Sequence, residues 1–96
     1  MRKYEVMFIV RPTLSDEEVS AVVEKYKKVL TDNGASITNE TDMGQRELAY
    51  EIKKFKSGHY FVFNFEGDNE NAVKEFNRLA TIDVDIVRHL ITNVGE

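Results

Sequence analysis

Four basic side chains offer the plainest chemistry in this sequence. They are Arg2 and Lys3 at the start, Arg46 within MGQRELAYEIKKF (residues 43–55), and Arg88 inside the apolar run IVRHLI (residues 86–91). Arginine presents five N–H donors in a planar fork that matches a phosphate, whereas lysine is a compact point charge. An arginine set among Ile86, Val87, Leu90 and Ile91 must project onto an uncovered face or be paired, because an unpaired buried charge is very costly. The chemistry that this set fits is anion binding, with phosphate foremost.

Other chemistries find no purchase. His59 and His89 have no carboxylate or second histidine at helical ligand spacing, so both are expected in surface or strand-packing roles. Catalysis needs a nucleophile and a base together. Ser15 reads as a helix cap, and Ser20, Ser36 and Ser57 sit in no nucleophile setting. The five glycines are dispersed, so no glycine-rich loop cradles phosphates. The loop Arg11-Pro12-Thr13-Leu14 has one arginine and no glycine, a poor match to a phosphate-binding loop. Asp16, Glu17 and Glu18 complement a helix dipole, and Asp83 and Asp85 read as a solvated loop rather than a metal site. With no cysteine, a disulfide framework and thiolate chemistry are excluded. The expectation is no enzyme, no metal, no cofactor and no small-molecule substrate.

Net charge is -4, which argues against indiscriminate nucleic-acid binding. Its distribution is more informative. Residues 2–12 and 45–58 each carry a balance of +2, while residues 66–85 carry -4. An anion-binding surface therefore belongs on the strand segments. No apolar run approaches the roughly 20 residues that span a bilayer, and no signal-peptide core follows the basic start, so a cytoplasmic protein without membrane contact is expected.

The elements that must position these residues follow from periodicity. Residues 3–10 alternate, with Tyr4, Val6, Phe8 and Val10 on one face. Ser15 and Glu18 form a capping box for a helix over 15–33, whose apolar stripe is Val19, Val22, Val23, Tyr26, Val29 and Leu30. Asn33-Gly34 ends it. Residues 35–52 read as a long extended segment. Ile37 differs in parity from Leu48, Tyr50 and Ile52, so a bulge near Met43-Gly44 is required if all face the core. Residues 53–58 read as a polar turn and 59–65 as a strand. Gly67-Asp68-Asn69 caps a second helix over about 70–80, and residues 86–92 form the last strand.

The run HYFVFNF (residues 59–65) invites comparison with the base-stacking strand of RNA-recognition motifs, but its histidine, tyrosine and asparagine stand in the wrong positions. Phe61, Phe63 and Phe65 share one parity and are expected in the core. The element order predicts an α+β, ferredoxin-like βαββαβ sandwich over residues 1–96 as one domain: a four-stranded antiparallel sheet with two helices on one face. The first and third strands are central, and the other sheet face is open.

Several segments, in order and spacing, resemble the bacterial small-subunit ribosomal protein six family over essentially the whole chain. They are Met1-Arg2-Lys3-Tyr4-Glu5-Val6, Arg11-Pro12, Asn33-Gly34-Ala35, Arg46-Glu47-Leu48-Ala49-Tyr50-Glu51-Ile52, Phe76-Asn77-Arg78-Leu79-Ala80 and Ile86-Val87-Arg88-His89. The resemblance implies a non-enzymatic ribosomal component. It would bind the central domain of small-subunit ribosomal RNA jointly with a small basic partner, small-subunit ribosomal protein eighteen. By position, Arg2, Lys3, Arg46 and Arg88 become candidates for RNA contact. Met43, Gln45, Glu47 and Ala49 become candidates for partner contact along an edge strand. One departure stands out: Asp42-Met43-Gly44-Gln45-Arg46-Glu47 has methionine and a single basic residue where the family often has tryptophan and two. The competing reading is a ferredoxin-like module that senses a small molecule and dimerises through its sheet.

Overall fold

The computed structural model describes residues 2–68 and 70–95. Met1, Asn69 and Glu96 lie outside the described residues, and the expected cap at Gly67-Asp68-Asn69 falls partly among them. The elements are β1 (Arg2–Val10), α1 (Asp16–Asp32), β2 (Ser36–Ile52), β3 (Phe55–Gly67), α2 (Asn71–Ile82) and β4 (Ile86–Gly95). The strands pair antiparallel in the order β2-β3-β1-β4. This is the βαββαβ ferredoxin-like arrangement, with β1 and β3 central.

α1 starts where its capping box requires. The Ser15 hydroxyl accepts from the Glu18 N–H, and the Glu18 carboxylate accepts from the Ser15 N–H at 3.1 Å. It ends where Gly34 adopts φ 90° and the Ala35 N–H returns to the Leu30 carbonyl. The N-cap residue of α2, Glu70, makes no side-chain cap hydrogen bond, and the helix holds to the sheet through its buried face Ala72, Phe76 and Ala80.

The core fills the layer between sheet and helices. Tyr4, Val6, Phe8 and Val10 of β1 and Phe61, Phe63 and Phe65 of β3 pack against Val19, Val22, Tyr26, Leu30 and Phe76. Phe8 sits at its centre, with ring centroids of Tyr26, Phe61, Phe63 and Phe76 at 5.2–5.9 Å. The phenylalanine run thus belongs to the interior, as its parity predicts.

The acidic loop after α2 is no solvated spacer. Asp83 accepts hydrogen bonds from the Tyr26 hydroxyl (2.7 Å), Lys25 Nζ (3.1 Å) and the Asp85 N–H (2.8 Å). Asp85 pairs with Arg11 Nε at 2.7 Å and ties the end of β1 to the start of β4. Burial works against the charged form of Asp83, but the donors outweigh it and hold its carboxyl below the ordinary range. The Tyr26 hydroxyl is pushed up, by burial first and then by Asp83.

The β2–β3 hairpin departs most from expectation. Its turn is only Lys53-Lys54, with φ 51° and 70°, the left-handed pair that a two-residue hairpin demands. Lys56 lies on β3 rather than in a turn. β1 ends opposite His59, so everything in the hairpin beyond that row lacks a third strand and a helix beneath it. Leu48, Tyr50 and Ile52 are therefore not core residues. Leu48 and Ile52 are half-buried and Tyr50 is 64 % exposed. The bulge at Met43-Gly44 does form, with Gly44 at φ 76° and its N–H held by Asp42 Oδ1 at 2.8 Å.

Candidate nucleic-acid interface

Residues directly opposite one another in an antiparallel ladder share a sheet face. Gly44, Tyr60, Ile9 and Arg88 form one such row across all four strands. This row has the opposite parity to the core row of Phe61 and Phe8, so Arg88 stands on the face away from the helices. Arg46 pairs with Gly58, two residues further along, and shares that face at the same end of the sheet. Between them Ile9 is only 2 % exposed. A Cβ added at Gly58 would lie 2.2 Å from Ile9 Cγ2, so the bare backbone there is what lets Ile9 pack over it.

Lys3 is on the open face as well, opposite Glu66. Six residue steps along β1 separate it from Ile9, about 20 Å of extended strand. One small anion cannot bridge that distance, but a polymer can. Arg2 belongs to the other side. It pairs with Gly67 on the helix-side parity, and its guanidinium meets Glu70 beside the start of α2 at 3.1 Å. The structure therefore sets Arg46 and Arg88 on the two edge strands at one end of the open face, about 14 Å apart across the sheet, puts Lys3 at the far end of that face, and separates Arg2.

Pairing distinguishes the arginines further. Arg2, Arg11 and Arg78 each hold a carboxylate. Among the described residues, Arg46 and Arg88 have no carboxylate partner. Arg46 Nε donates to the Met43 carbonyl at 3.2 Å, and Arg88 Nη1 donates to the Tyr50 hydroxyl at 3.2 Å. Both residues are exposed, and a guanidinium has five N–H donors. His89 adds no charge to the region. It faces α2, with Nε2 2.7 Å from the Asn77 carboxamide, and burial first, then the Lys53 cation, pushes its pKa down.

Sequence reasoning missed Tyr50. From Glu47 (opposite Ser57) to Ile52 (opposite Phe55), five steps along β2 answer only two along β3. The three extra residues throw Tyr50 off the ladder toward Arg88. Lys53 Nζ secures the same tip by donating to the Ile86 carbonyl at 3.3 Å. The alternation of Leu48, Tyr50 and Ile52 reads as an ordinary strand, so nothing in it signals the irregularity.

β2 is an edge strand, as predicted. Met43 occupies the bulge, half-buried, while Gln45, Glu47 and Ala49 are exposed. Gln45 and Glu47 lie opposite His59 and Ser57, on the other face from Arg46. Beside them His59 Nε2 contacts Asp42 Oδ1 at 2.6 Å and stacks on Phe61 at 4.4 Å. The His59 contact, with the Gly44 N–H, holds the Asp42 carboxyl below its usual range.

An antiparallel sheet of this order with its helices on one face defines an α+β sandwich of the ferredoxin-like class. A family model described as ribosomal protein S6 matches residues 3–93. The crystal structure of 30S ribosomal protein S6 from Thermotoga maritima superposes with a TM-score of 0.91 at 35% sequence identity, covering 96% of this chain and 86% of that one. The chain belongs to the ribosomal protein S6 family, structural and non-enzymatic proteins of the small ribosomal subunit. No described helix is long and apolar enough to cross a membrane.

Proposed function

We propose that this chain binds the central domain of small-subunit ribosomal RNA through the Arg46–Arg88 end of its open sheet face, together with small-subunit ribosomal protein eighteen on the β2 edge. The observation that carries this reading is the pair of arginines without carboxylate partners at one end of the uncovered face. Lys3 extends the cationic track along β1. Arg2 contributes only where RNA displaces Glu70. Met43, Gln45, Glu47 and Ala49 line the edge offered to the protein partner.

A chain of net charge -4 neutralises few phosphates by itself, and counterion release drives such binding. A basic partner supplies the missing positive potential. The isolated chain should therefore bind a central-domain RNA fragment weakly, and the heterodimer should bind it tightly with a steep salt dependence. Filter-binding titrations over a salt series measure both, and equal affinity with and without the partner would refute the cooperative reading. Arg88→Ala should weaken the heterodimer's RNA binding by on the order of 1 kcal/mol or more without unfolding the chain.

A further inference from the structure

The hairpin tip holds a feature that phosphate binding leaves unused. A groove of about 450 Å³ is lined by Glu47, Leu48, Tyr50, Glu51, Lys56 and Ser57. Tyr50 is 64 % exposed, although its hydroxyl accepts from Arg88 and its strand is anchored through Lys53. A large aromatic held in place yet left open to solvent is a platform. Glu47 and Glu51 outnumber Lys56 in this lining and disfavour a phosphate inside the groove, which suits an uncharged, flat group. Arg88, one hydrogen bond away, faces the anion that such a group would carry beside it.

We infer that Tyr50 is a stacking platform for an unpaired nucleobase of the bound RNA, with Arg88 gripping the adjoining phosphate. The inference rests on the RNA-binding reading above. Base–aromatic stacking is tolerant of base identity because every base has a π-face. The Tyr50–Arg88 hydrogen bond couples the two contacts, so the nucleotide is held at base and backbone at once.

The test uses the full chain, isotope-labelled, titrated at low salt with hexacytidylate and with an abasic hexamer of the same ribose–phosphate backbone. Hexacytidylate should shift the Tyr50 ring resonances upfield and bind about tenfold more tightly than the abasic hexamer. Tyr50→Phe, which keeps the ring but loses the hydrogen bond to Arg88, should keep most of that advantage. Tyr50→Ala should erase it while its unfolding transition stays that of the parent chain. Equal binding of both hexamers, weakened alike by Arg88→Ala, would overturn the stacking platform and leave backbone recognition standing. Silence at both Tyr50 and Arg88 with either hexamer, in the isolated chain and again in the heterodimer, would overturn both readings. Unchanged hexacytidylate binding by Tyr50→Ala, with weakened assembly onto the basic protein partner, would overturn the inference by making the tip a protein contact.

Discussion

The sheet has two ends built to different rules. At one, four strands and two helices enclose Phe8, Tyr26, Phe63 and Phe76, each no more than 1 % exposed. At the other, β2 and β3 run past the last β1 partner as a bare ribbon, carrying Tyr50 in the open and the turn lysines in left-handed backbone. An isolated two-stranded hairpin is marginal in water. The ribbon persists because the packed body holds its base and because the Arg88–Tyr50 and Lys53–Ile86 hydrogen bonds fasten its tip. Stability is concentrated where surface is buried. The proposed RNA contacts lie where it is not.

Perturbing the packed end should give the largest effect. Phe76→Ala removes a fully buried ring that lies 4.8 Å from Tyr26 and 5.8 Å from Phe8. Urea unfolding should show a loss of about 3–5 kcal/mol, the usual cost of an aromatic truncation in a core. A loss comparable to that of an exposed site would mean that the body is not where the fold is held.

A smaller effect is expected at the latch between α1 and the α2–β4 loop. Asp83→Ala leaves the Tyr26 hydroxyl without its acceptor, which should cost about 1–3 kcal/mol near neutral pH. The same change should flatten the acid limb of stability. Because the folded Asp83 pKa is depressed, its contribution is fully present above the unfolded value of about 3.9 and is lost as pH falls through the folded value. Unfolding midpoints of parent and variant should therefore converge as the pH drops below about 4. Parallel acid limbs would assign the dependence to other carboxylates.

What could be read in advance divides along the same line. α1 and its capping box, the core parity of Phe61, Phe63 and Phe65, and the central position of β1 all follow from local periodicity, which the body obeys. The bulge at Met43-Gly44 forms where it was expected, but its premise fails, because Leu48, Tyr50 and Ile52 do not share the core face with Ile37. The Asp83 latch was not legible, since it joins residues 57 positions apart and rests on tertiary proximity. Leu48, Tyr50 and Ile52 were misplaced for a related reason. Their alternation promises a buried face, but burial depends on a third strand that ends at Val10. The projection of Arg88 onto the open face could be expected from its apolar neighbours; its hydrogen bond to Tyr50 could not.

The central claim is that the arginines without carboxylate partners, rather than the net charge, give this chain its hold on RNA. Its most direct test compares the heterodimer with an Arg46→Ala/Arg88→Ala heterodimer on a central-domain RNA fragment across a salt series. The double variant should bind at least tenfold more weakly, with the slope of log affinity against log salt reduced by about two, one for each lost phosphate contact. Identical affinity and an identical slope would contradict the account.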